Sequence, residues 1–382
     1  MPQDVVIVGG GIGGLIVAIA LRQRGITPRV YEGAPELREV GAGIWVPPNA
    51  MQVLARLGVA DAVAREGSPI RTAELRDAKA GVLQRADLSY AEKEFGHPTV
   101  AIHRGRLQRV LADAAGHHTI HTGRQCTGVE QRGQRVAVRF ADGSETAADV
   151  VIGADGLRSA VRESIFPGAP LRYSGQTSYR ATVTYTLPPE FDGMGWEVWS
   201  AGARVGFSAI GHGEVYWYIT RDAPAGGTDA PGTLRGTLDT IAAAFPAPIP
   251  ALVAATDPAH VTRTDITDLA PIESWHRGRV VLLGDAAHAT TPNLGQGGAQ
   301  ATEDAWVLAD RLASAGSPEA ALAEYERIRG PKARMVVNTS WRFGKMVHLS
   351  NPLARGARNL LLRLTPESVG RRQSEALYRL NY

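Results

Sequence analysis

The chain has 382 residues, a length that is enough for two domains. With 44% hydrophobic and 21% charged residues, its composition excludes a disordered or fibrous protein. A net charge of +3 without an interleaved basic and aromatic motif argues against nucleic acid as a partner. The single cysteine, Cys126, excludes an internal disulfide and a thiolate metal cluster.

The N-terminal segment predicts a phosphate-binding turn. An apolar strand over residues 4–8 runs into GGGIGG at 9–14, and a helix that ends at Gly25 leads to a second strand ending at Glu32. Such glycines permit a tight turn and bring backbone N–H groups and a helix N-terminus against a pyrophosphate. Glu32 follows Gly11 by 21 positions, close to the ~20 expected of a ribose-binding acid. Because an acid repels a 2′-phosphate, the expected nucleotide is FAD or NAD rather than NADP.

Targeting and metal signals are weak along the whole sequence. The first strand begins by residue 4, which leaves no room for a signal peptide, and no apolar run approaches the ~18 residues of a membrane span. The ten histidines show no paired ligand spacing, so no metal site is predicted. We therefore expect a cytoplasmic protein.

Two further glycine–acid pairs follow apolar strands. Asp155-Gly156 comes after residues 150–152, and Gly284-Asp285 comes after residues 280–283. Parallel sheets bind their ligands at the carboxyl ends of such strands. A glycine-rich loop at 41–43 and a helix over 49–57 lie between the first strands and this region.

The middle of the chain changes to an alternation of period two. Residues 173–220 predict an antiparallel sheet inserted into the α/β domain, with Arg204 and Tyr216 on neighbouring strands of a hairpin that turns at 211–213. Arg204 shares one face with Gly206 and Ser208. A linker at 223–232 and a helix to about residue 245 follow, and the chain beyond residue 285 is predicted to be mostly helical.

Three segments occur together in order: GGGIGG at 9–14, GADGLRSAVR at 153–162 and GDAAHATTPNLGQGGAQATEDAWVL at 284–308. With them the chain resembles the single-component FAD-dependent aromatic hydroxylases, the family of the 4-hydroxybenzoate, salicylate and urate hydroxylases. The resemblance implies an α/β fold, with a Rossmann-like FAD-binding domain, an inserted antiparallel-sheet substrate domain and a helical C-terminal region. The expected boundaries are 1–70, 100–172 and 265–320 for the first, 71–99 and 173–264 for the second, and 321–382 for the third.

The resemblance also implies which residues contact FAD, which we expect to be bound non-covalently. Glu32 would contact the adenosine ribose, Asp285 the ribityl chain, and Arg104 the pyrophosphate, with Arg106 as an alternative to Arg104. Asp155 would serve both FAD and a transient NADPH or NADH. The remaining expected contacts are glycine-rich turns and the start of the helix at 299–312: Gly9, Gly11, Gly13, Gly14, Gly43, Gly295, Gln296, Gly297 and Gly298.

The implied reaction begins with reduction of FAD by NAD(P)H and addition of O2 to give a C4a-hydroperoxide. The terminal oxygen then passes to a small aromatic or heteroaromatic substrate, and water is lost. The free N–H groups at the start of the helix would favour the anionic reduced flavin. The alternatives are epoxidation or oxidation of a larger isoprenoid, polyketide or antibiotic, a flavin-dependent reductase, and a flavin-binding module without activity.

Four residues are expected at the substrate: Trp45, Arg204, Tyr216 and Pro292, with Arg204 and Tyr216 in catalytic roles. Arg204 and Tyr216 match positions of the bacterial urate hydroxylases. Those enzymes carry an asparagine where this chain has Ser178, which argues against urate itself. A monomer and a homodimer are both compatible with the sequence.

The C-terminal stretch from 352 to 380 contains seven leucines among six arginines. This pattern fits either an amphipathic helix on a membrane surface or a helix packed on the flavin domain, interrupted near Pro366. We expect the packed helix and no membrane association.

Overall fold

A computed structural model describes residues 4–37, 41–230 and 232–382. The elements up to residue 165 are β1 (Val5–Val8), α1 (Ile12–Gln23), β2 (Arg29–Tyr31), β3 (Gly43–Val46), α2 (Pro48–Arg56), α3 (Ala60–Glu66), β4 (Ser68–Ile70), β5 (Thr72–Asp77), β6 (Gly81–Asp87), α4 (Ser89–Phe95), β7 (Thr99–His103), α5 (Arg104–Ala115), β8 (Ile120–His121), β9 (Cys126–Arg132), β10 (Arg135–Phe140), β11 (Glu145–Ala148), β12 (Val150–Gly153) and α6 (Ala160–Ile165).

The remaining elements are β13 (Leu171–Thr184), β14 (Met194–Trp199), β15 (Ala203–Ala209), β16 (Glu214–Asp222), α7 (Leu234–Ala242), α8 (Ile249–Ala255), β17 (Thr262–Leu269), β18 (His276–Arg277), β19 (Val280–Leu282), α9 (Asp285–His288), α10 (Gly297–Ser314), α11 (Pro318–Val347), α12 (Pro352–Leu364) and α13 (Glu367–Tyr378). Among the helices of the described ranges, none combines the length and hydrophobicity needed to cross a bilayer.

The nucleotide-binding sheet has six strands in the order β18-β19-β12-β1-β2-β8. All neighbouring pairs are parallel except β18 and β19. Every residue of β1 and β12 is buried, as expected for parallel strands covered on both faces. The sheet thus brings the loops after β1, β12 and β19 to one edge, which confirms the predicted Rossmann-like arrangement.

Glycines in the first turn let α1 approach the sheet and its neighbouring helix. A Cβ at Gly14 would lie 2.0 Å from the carbonyl oxygen of Gly9, and a Cβ at Gly13 would lie 2.7 Å from a methyl of Leu283. Gly25 adopts φ +78° just beyond α1, as its position at the end of the helix predicts. Any side chain at Gly13 or Gly14 would therefore displace α1 from its packed position beside the sheet.

The second sheet has seven strands in the order β17-β13-β16-β15-β14-β5-β6. The β15–β16 hairpin is present as predicted, and its turn places His212 at φ +55°. The strands within residues 173–220, β13 to β16, pair antiparallel with one another as predicted, and β14 also runs parallel to β5. Parallel neighbours need a long connection, and here more than a hundred residues separate the two strands, among them β6 and β13 of the same sheet.

One face of this sheet packs on helices α7 and α8 through a cluster that includes Tyr179, Phe207 and Trp217, and the opposite face looks toward the nucleotide-binding sheet. Residues 72–87 contribute β5 and β6 to the sheet, and the expected boundary at residue 265 falls within β17. The C-terminal α11 extends over 30 residues, and α12 and α13 both contact β6.

Candidate active site

A cavity of about 840 Å³ lies between the edge of the six-stranded sheet and the inner face of the seven-stranded sheet. Its walls include the glycine turn after β1, the loops carrying Asp155 and Asp285, the loop before α10, and side chains of β13 to β16. The volume is within the range of small-molecule and cofactor sites. The three segments that are far apart in sequence therefore meet at one site.

The turn after β1 leaves an open cradle. Gly11 caps α1 without a side-chain hydrogen bond, and a Cβ built on Gly11 would meet no atom within 4 Å. Beside it, Glu32 accepts hydrogen bonds from the backbone N–H of Gly10 at 2.7 Å and of Ala34 at 2.8 Å. The acid is thus held against the turn by the backbone while it borders the cavity, as required of a ribose-binding residue.

Of the two candidate arginines, only Arg104 borders the cavity, where its side chain is exposed at the start of α5. Arg106 is buried, donates to the carbonyl oxygen of Ile210 at 2.8 Å and pairs with Glu214 at 3.1 Å. The guanidinium of Arg106 therefore joins α5 to the hairpin, and the alternative assignment of Arg106 to the pyrophosphate is wrong.

Asp155 differs from Asp285 in its hydrogen bonding. Asp155 accepts hydrogen bonds from Ser159 Oγ at 2.5 Å and from the N–H of Val161 at 3.1 Å, so its carboxylate holds the start of α6. Burial raises the pKa of Asp155 despite these bonds. Its carboxylate is already committed within the protein, although the residue borders the cavity.

Asp285 begins α9 and borders the cavity with its side chain exposed. Within the described residues its carboxylate accepts no hydrogen bond. Enclosure by the surrounding protein raises its pKa, and the nearby charges of His288 and Arg104 oppose that rise. A carboxylate without a protein partner at a cavity wall is suited to accept hydrogen bonds from the hydroxyl groups of a ligand.

The loop before α10 turns at Gly295, with φ +61°, and the helix begins at Gly297. Gly295, Gly297 and Gly298 border the cavity, so the first N–H groups of an 18-residue helix lie beside it. Gln296 does not. Its buried side chain accepts hydrogen bonds from Asn49 and Gln300, both at 3.0 Å, and is turned away from the cavity, so the expected contact of Gln296 with FAD stays a prediction for its backbone.

A buried charge network holds α10 behind this loop. Arg329 of α11 pairs with Glu303 at 2.6 Å and with Asp304 at 2.8 Å, and all three side chains are at most 1% exposed. Asp304 also contacts His288 of α9 at 2.5 Å. Because losing one member would leave a buried charge uncompensated, the network fixes the start of α10 relative to Asp285.

The inner face of the seven-stranded sheet presents a row of polar side chains. Arg204 stands opposite Thr220, Gly206 opposite Tyr218, and Ser208 opposite Tyr216 in the β15–β16 pair. Neighbouring strands extend the face with Ser178, Arg180 and Glu197. Arg204 is 3% exposed, and its guanidinium donates to Thr220 Oγ1 at 3.0 Å, to Glu197 and to Asn293.

Three aromatic rings pack directly against glycines of other strands. A Cβ at Gly43 would lie 2.4 Å from the ring of Tyr216, one at Gly195 would lie 2.2 Å from Trp45, and one at Gly206 would lie 2.5 Å from Tyr218. Gly43 thus makes room for the ring of Tyr216. The expected contact of Gly43 with FAD stays a prediction. Trp45 is oriented further by its Nε1–H, which donates to Ser208 Oγ at 3.1 Å.

Burial raises the pKa of Tyr216 and raises that of Tyr218 well above its ordinary value, and the charge of Glu197 adds to the rise for Tyr218. Both phenols are therefore neutral at physiological pH. The Tyr218 hydroxyl donates to Glu197, whereas Tyr216 borders the cavity and its neutral hydroxyl can donate a hydrogen bond there. Trp45, Tyr216 and Pro292 all border the cavity together with Arg204, and their contact with a substrate stays a prediction.

Sequence reasoning missed the residues that hold Arg204. Thr220 shares the parity of Tyr216 along β16, and that alternation is a usable signal for it. His348 has no such signal, because it follows the end of α11 and reaches Thr220 Oγ1 at 3.1 Å only through the fold. Its other ring nitrogen contacts Asp222 at 2.9 Å.

Comparison with known proteins gives a consistent picture. Residues 3–340 match the family model described as FAD binding domain. The chain is 42% identical to the aurachin C monooxygenase/isomerase of Stigmatella aurantiaca over 360 residues, which is 94% of each chain. It is 36% identical to the FAD-dependent urate hydroxylase of Klebsiella pneumoniae over 337 residues, 87% of each chain. The crystal structure of Klebsiella pneumoniae HpxO with FAD and uric acid superposes with a TM-score of 0.90 at 32% identity, covering 98% of this chain and 96% of that one.

Proposed function

We propose, from the premise that the chain belongs to the FAD-binding-domain family of monooxygenases, that it hydroxylates an aromatic or heteroaromatic substrate with NAD(P)H and O2. The observation that carries the substrate class is the position of Arg204. This arginine is buried in the inserted sheet, borders the cavity, and stands in a wall with the aromatic rings of Trp45, Tyr216 and Tyr218.

The residues of the cavity fit FAD. The open space at Gly11 accepts a phosphate group where a side chain would otherwise project, and the N-terminus of α1 favours its negative charge. Arg104 supplies a cation at the same wall, and Asp285 supplies an acceptor without a protein partner. In this proposal Glu32 binds the adenosine ribose and Asp285 binds the ribityl chain.

Bound FAD would supply the electron transfer and the activation of O2 that amino-acid side chains cannot provide. The chain contributes orientation, exclusion of water and charge. The N–H groups at the start of α10 favour negative charge beside Gly297, and the buried network through Arg329 keeps that helix end in place. The rings of Trp45 and Tyr216 give the substrate apolar walls that exclude water.

Arg204 would orient the substrate. Its guanidinium is a planar fork that suits a carboxylate or two adjacent polar groups of a heterocycle, and neutral Tyr216 can donate a hydrogen bond to a carbonyl or hydroxyl oxygen. Ser178 lies on the same face, where the resemblance to urate hydroxylases leads one to expect an asparagine. We therefore infer that the preferred substrate differs from urate. The 42% identity to the aurachin C monooxygenase/isomerase favours, as the second candidate, oxidation of a larger isoprenoid, polyketide or antibiotic.

The test begins with the purified, flavin-loaded protein. We expect FAD that is released by acid denaturation, and NADH or NADPH oxidation that is stimulated by members of a panel of aromatic acids, purines and isoprenoids. Product formed under ¹⁸O2 should carry one labelled oxygen. Substrate turnover that proceeds without O2 would instead indicate a reductase, and protein that cannot take up FAD would contradict the proposal altogether.

A further inference from the structure

Helix α12 packs against the protein through its polar side. Asp77, at the end of β5, is 3% exposed and accepts a hydrogen bond from Arg355 at 3.0 Å and from Asn359 at 3.1 Å. Arg358, which is 5% exposed, lies 3.7 Å from the same carboxylate. Leu362 contributes the apolar part of the contact. The polar residues of α12 are therefore its inner face.

The outer side of α12 carries four leucines, which we call the leucine stripe: Leu353, Leu360, Leu361 and Leu364, exposed by 85, 58, 66 and 70%. Their spacing of 7, 8 and 11 residues from the first places them on one side of a helix with 3.6 residues per turn. An amphipathic helix of a globular protein normally turns this side to the core. A contiguous exposed apolar patch of this kind marks an interaction surface.

The charge of the C-terminal helices and the small area of the leucine stripe indicate which partner covers the stripe. Four arginines of α12, α13 and the residue after them are exposed, at positions 363, 371, 372 and 379, against Glu367 and Glu375, whereas Arg355 and Arg358 are turned inward to Asp77. Pairing of two stripes from two copies would bring these positive segments together. Four leucines also fall short of the roughly 800 Å² that each partner buries in a stable dimer. An anionic lipid surface suits both the apolar stripe and the positive charge, because its interface accepts leucine side chains and its headgroups attract arginine.

We propose that α12 docks on the surface of anionic membranes, lying in the interface with the leucine stripe inserted. Beneath the helix, the guanidinium of Arg358 lies 4.7 Å from the ring centre of Trp199, and Trp199 borders the substrate cavity. Docking thus brings the substrate sheet next to the bilayer, where apolar aromatic compounds concentrate. This proposal departs from the expectation of no membrane association because the fold turns Arg355 and Arg358 inward to Asp77 and leaves the leucines outside.

The test is co-sedimentation of the full FAD-loaded protein with large vesicles. One set contains phosphatidylcholine alone and the other contains 30 mol% phosphatidylglycerol, each over a series of salt concentrations. We expect binding to the anionic vesicles that weakens with salt. The double variant Leu360→Gln and Leu364→Gln should bind roughly tenfold less, since each leucine loses the transfer of its side chain to the interface. Arg372→Glu should weaken binding only at low salt.

Leu171→Gln is the matched control, because Leu171 is 41% exposed on β13 and lies outside the stripe. It should bind like the parent. All variants should keep their FAD content and thermal transition, which would show that the stripe does not hold the fold. Absence of binding by the parent to anionic vesicles would overturn the proposal, as would equal binding by parent and stripe variant. A dimer that sediments in the parent and dissociates in the stripe variant would identify a second copy as the occupant instead.

Discussion

Arg204 of β15 donates a hydrogen bond through Nη2 to the side-chain oxygen of Asn293, in the loop that leads into α10. This contact joins the substrate sheet to the helix start that we assign to the flavin. Asn293 itself is held by donating to Thr291 Oγ1 and to the carbonyl oxygen of Ser340, both at 2.9 Å. The guanidinium is therefore fixed between two domains.

Arg204→Lys should lower substrate-stimulated turnover roughly 10-fold to 100-fold, because lysine keeps the charge but loses the planar fork and with it one or two charged hydrogen bonds. Arg204→Ala should lower turnover further and uncouple NAD(P)H oxidation from product. FAD affinity should change little in either. Arg221→Lys, whose backbone lies next to Thr220 but whose side chain alternates to the other face, is the control. Unchanged coupling in both Arg204 variants would remove this residue from substrate binding.

Asp285→Ala should weaken FAD binding, because the cavity loses an acceptor of one or two charge-assisted hydrogen bonds, each worth roughly 1.5–3 kcal/mol. The dissociation constant measured by flavin fluorescence should rise at least tenfold, with the thermal transition of the FAD-free protein preserved. Asp310→Ala removes an acid from the outer part of α10 and should leave FAD affinity unchanged. Equal affinity in both variants would indicate that Asp285 serves only the start of α9.

His348 should act as a positioning residue whose protonation state affects Arg204. Burial lowers its pKa, the charge of Arg204 lowers it further, and Asp222 opposes both, with Glu197 also acting to raise it. A histidine whose pKa is depressed in the folded protein contributes stability above its unfolded pKa of about 6.5 and loses that contribution as the pH falls through the folded pKa. Acidification should therefore place a second cation beside Arg204 and lower the coupling of NAD(P)H oxidation to product.

The measurement is the pH profile of coupling in the parent and in His348→Gln. Glutamine can still accept from Thr220 and donate to Asp222, but it does not titrate. At pH 8 we expect His348→Gln to couple NAD(P)H oxidation to product nearly as well as the parent. Below pH 6.5 the parent should lose coupling, which we call the acid limb of the profile, and the variant should show only part of that loss. His260→Gln removes an exposed histidine and should retain the full limb. An identical acid limb in His348→Gln and the parent would show that His348 does not influence Arg204 by titration.

The nucleotide-binding half was predictable because its signals are local. The glycine turn, the acid at Glu32 and the pairs at Asp155 and Asp285 each follow a strand within a few residues, and parallel strands bring such ends together. The hairpin carrying Arg204 was predictable from its alternation. The partners of Arg204 were not, because Asn293 and His348 reach it from 89 and more than 100 residues away in the chain. The burial of the Gln296 side chain was not predictable either, because its place in a glycine-rich loop says nothing about the direction of its side chain.

Asp77 should stabilise the docking of the C-terminal helices. Burial alone would raise its pKa, but hydrogen bonds from the backbone of Ala80 and Lys79 and from Asn359 and Arg355 outweigh that effect and lower it to about 2. Because the pKa is depressed, this stabilisation is present above pH 4 and is lost as the pH falls toward 2. Asp77→Asn should leave the arginines uncompensated and reduce the free energy of unfolding by roughly 3 kcal/mol. Chemical denaturation at pH 7 checks this.

Asp192→Asn serves as the comparison for Asp77→Asn, since Asp192 is an exposed acid of the same domain. Its free energy of unfolding should stay within about 0.5 kcal/mol of the parent. Limited proteolysis should also cut the Asp77→Asn protein faster within residues 349–382. Equal unfolding free energies for the two variants would show that the arginines of α12 find other partners.

The three aromatic rings that pack against glycines limit how the substrate preference of this site can change in evolution. Every single-base change that replaces a glycine introduces at least a Cβ, and at Gly43, Gly195 and Gly206 that atom would meet an aromatic ring at 2.5 Å or less. Substitution of these glycines therefore cannot shift the rings of Tyr216, Trp45 and Tyr218 by small steps. Descendants of this gene can reach new substrates more readily through small side chains of the same wall, such as Ser178 and Ser208, where exchange alters the cavity without displacing a ring.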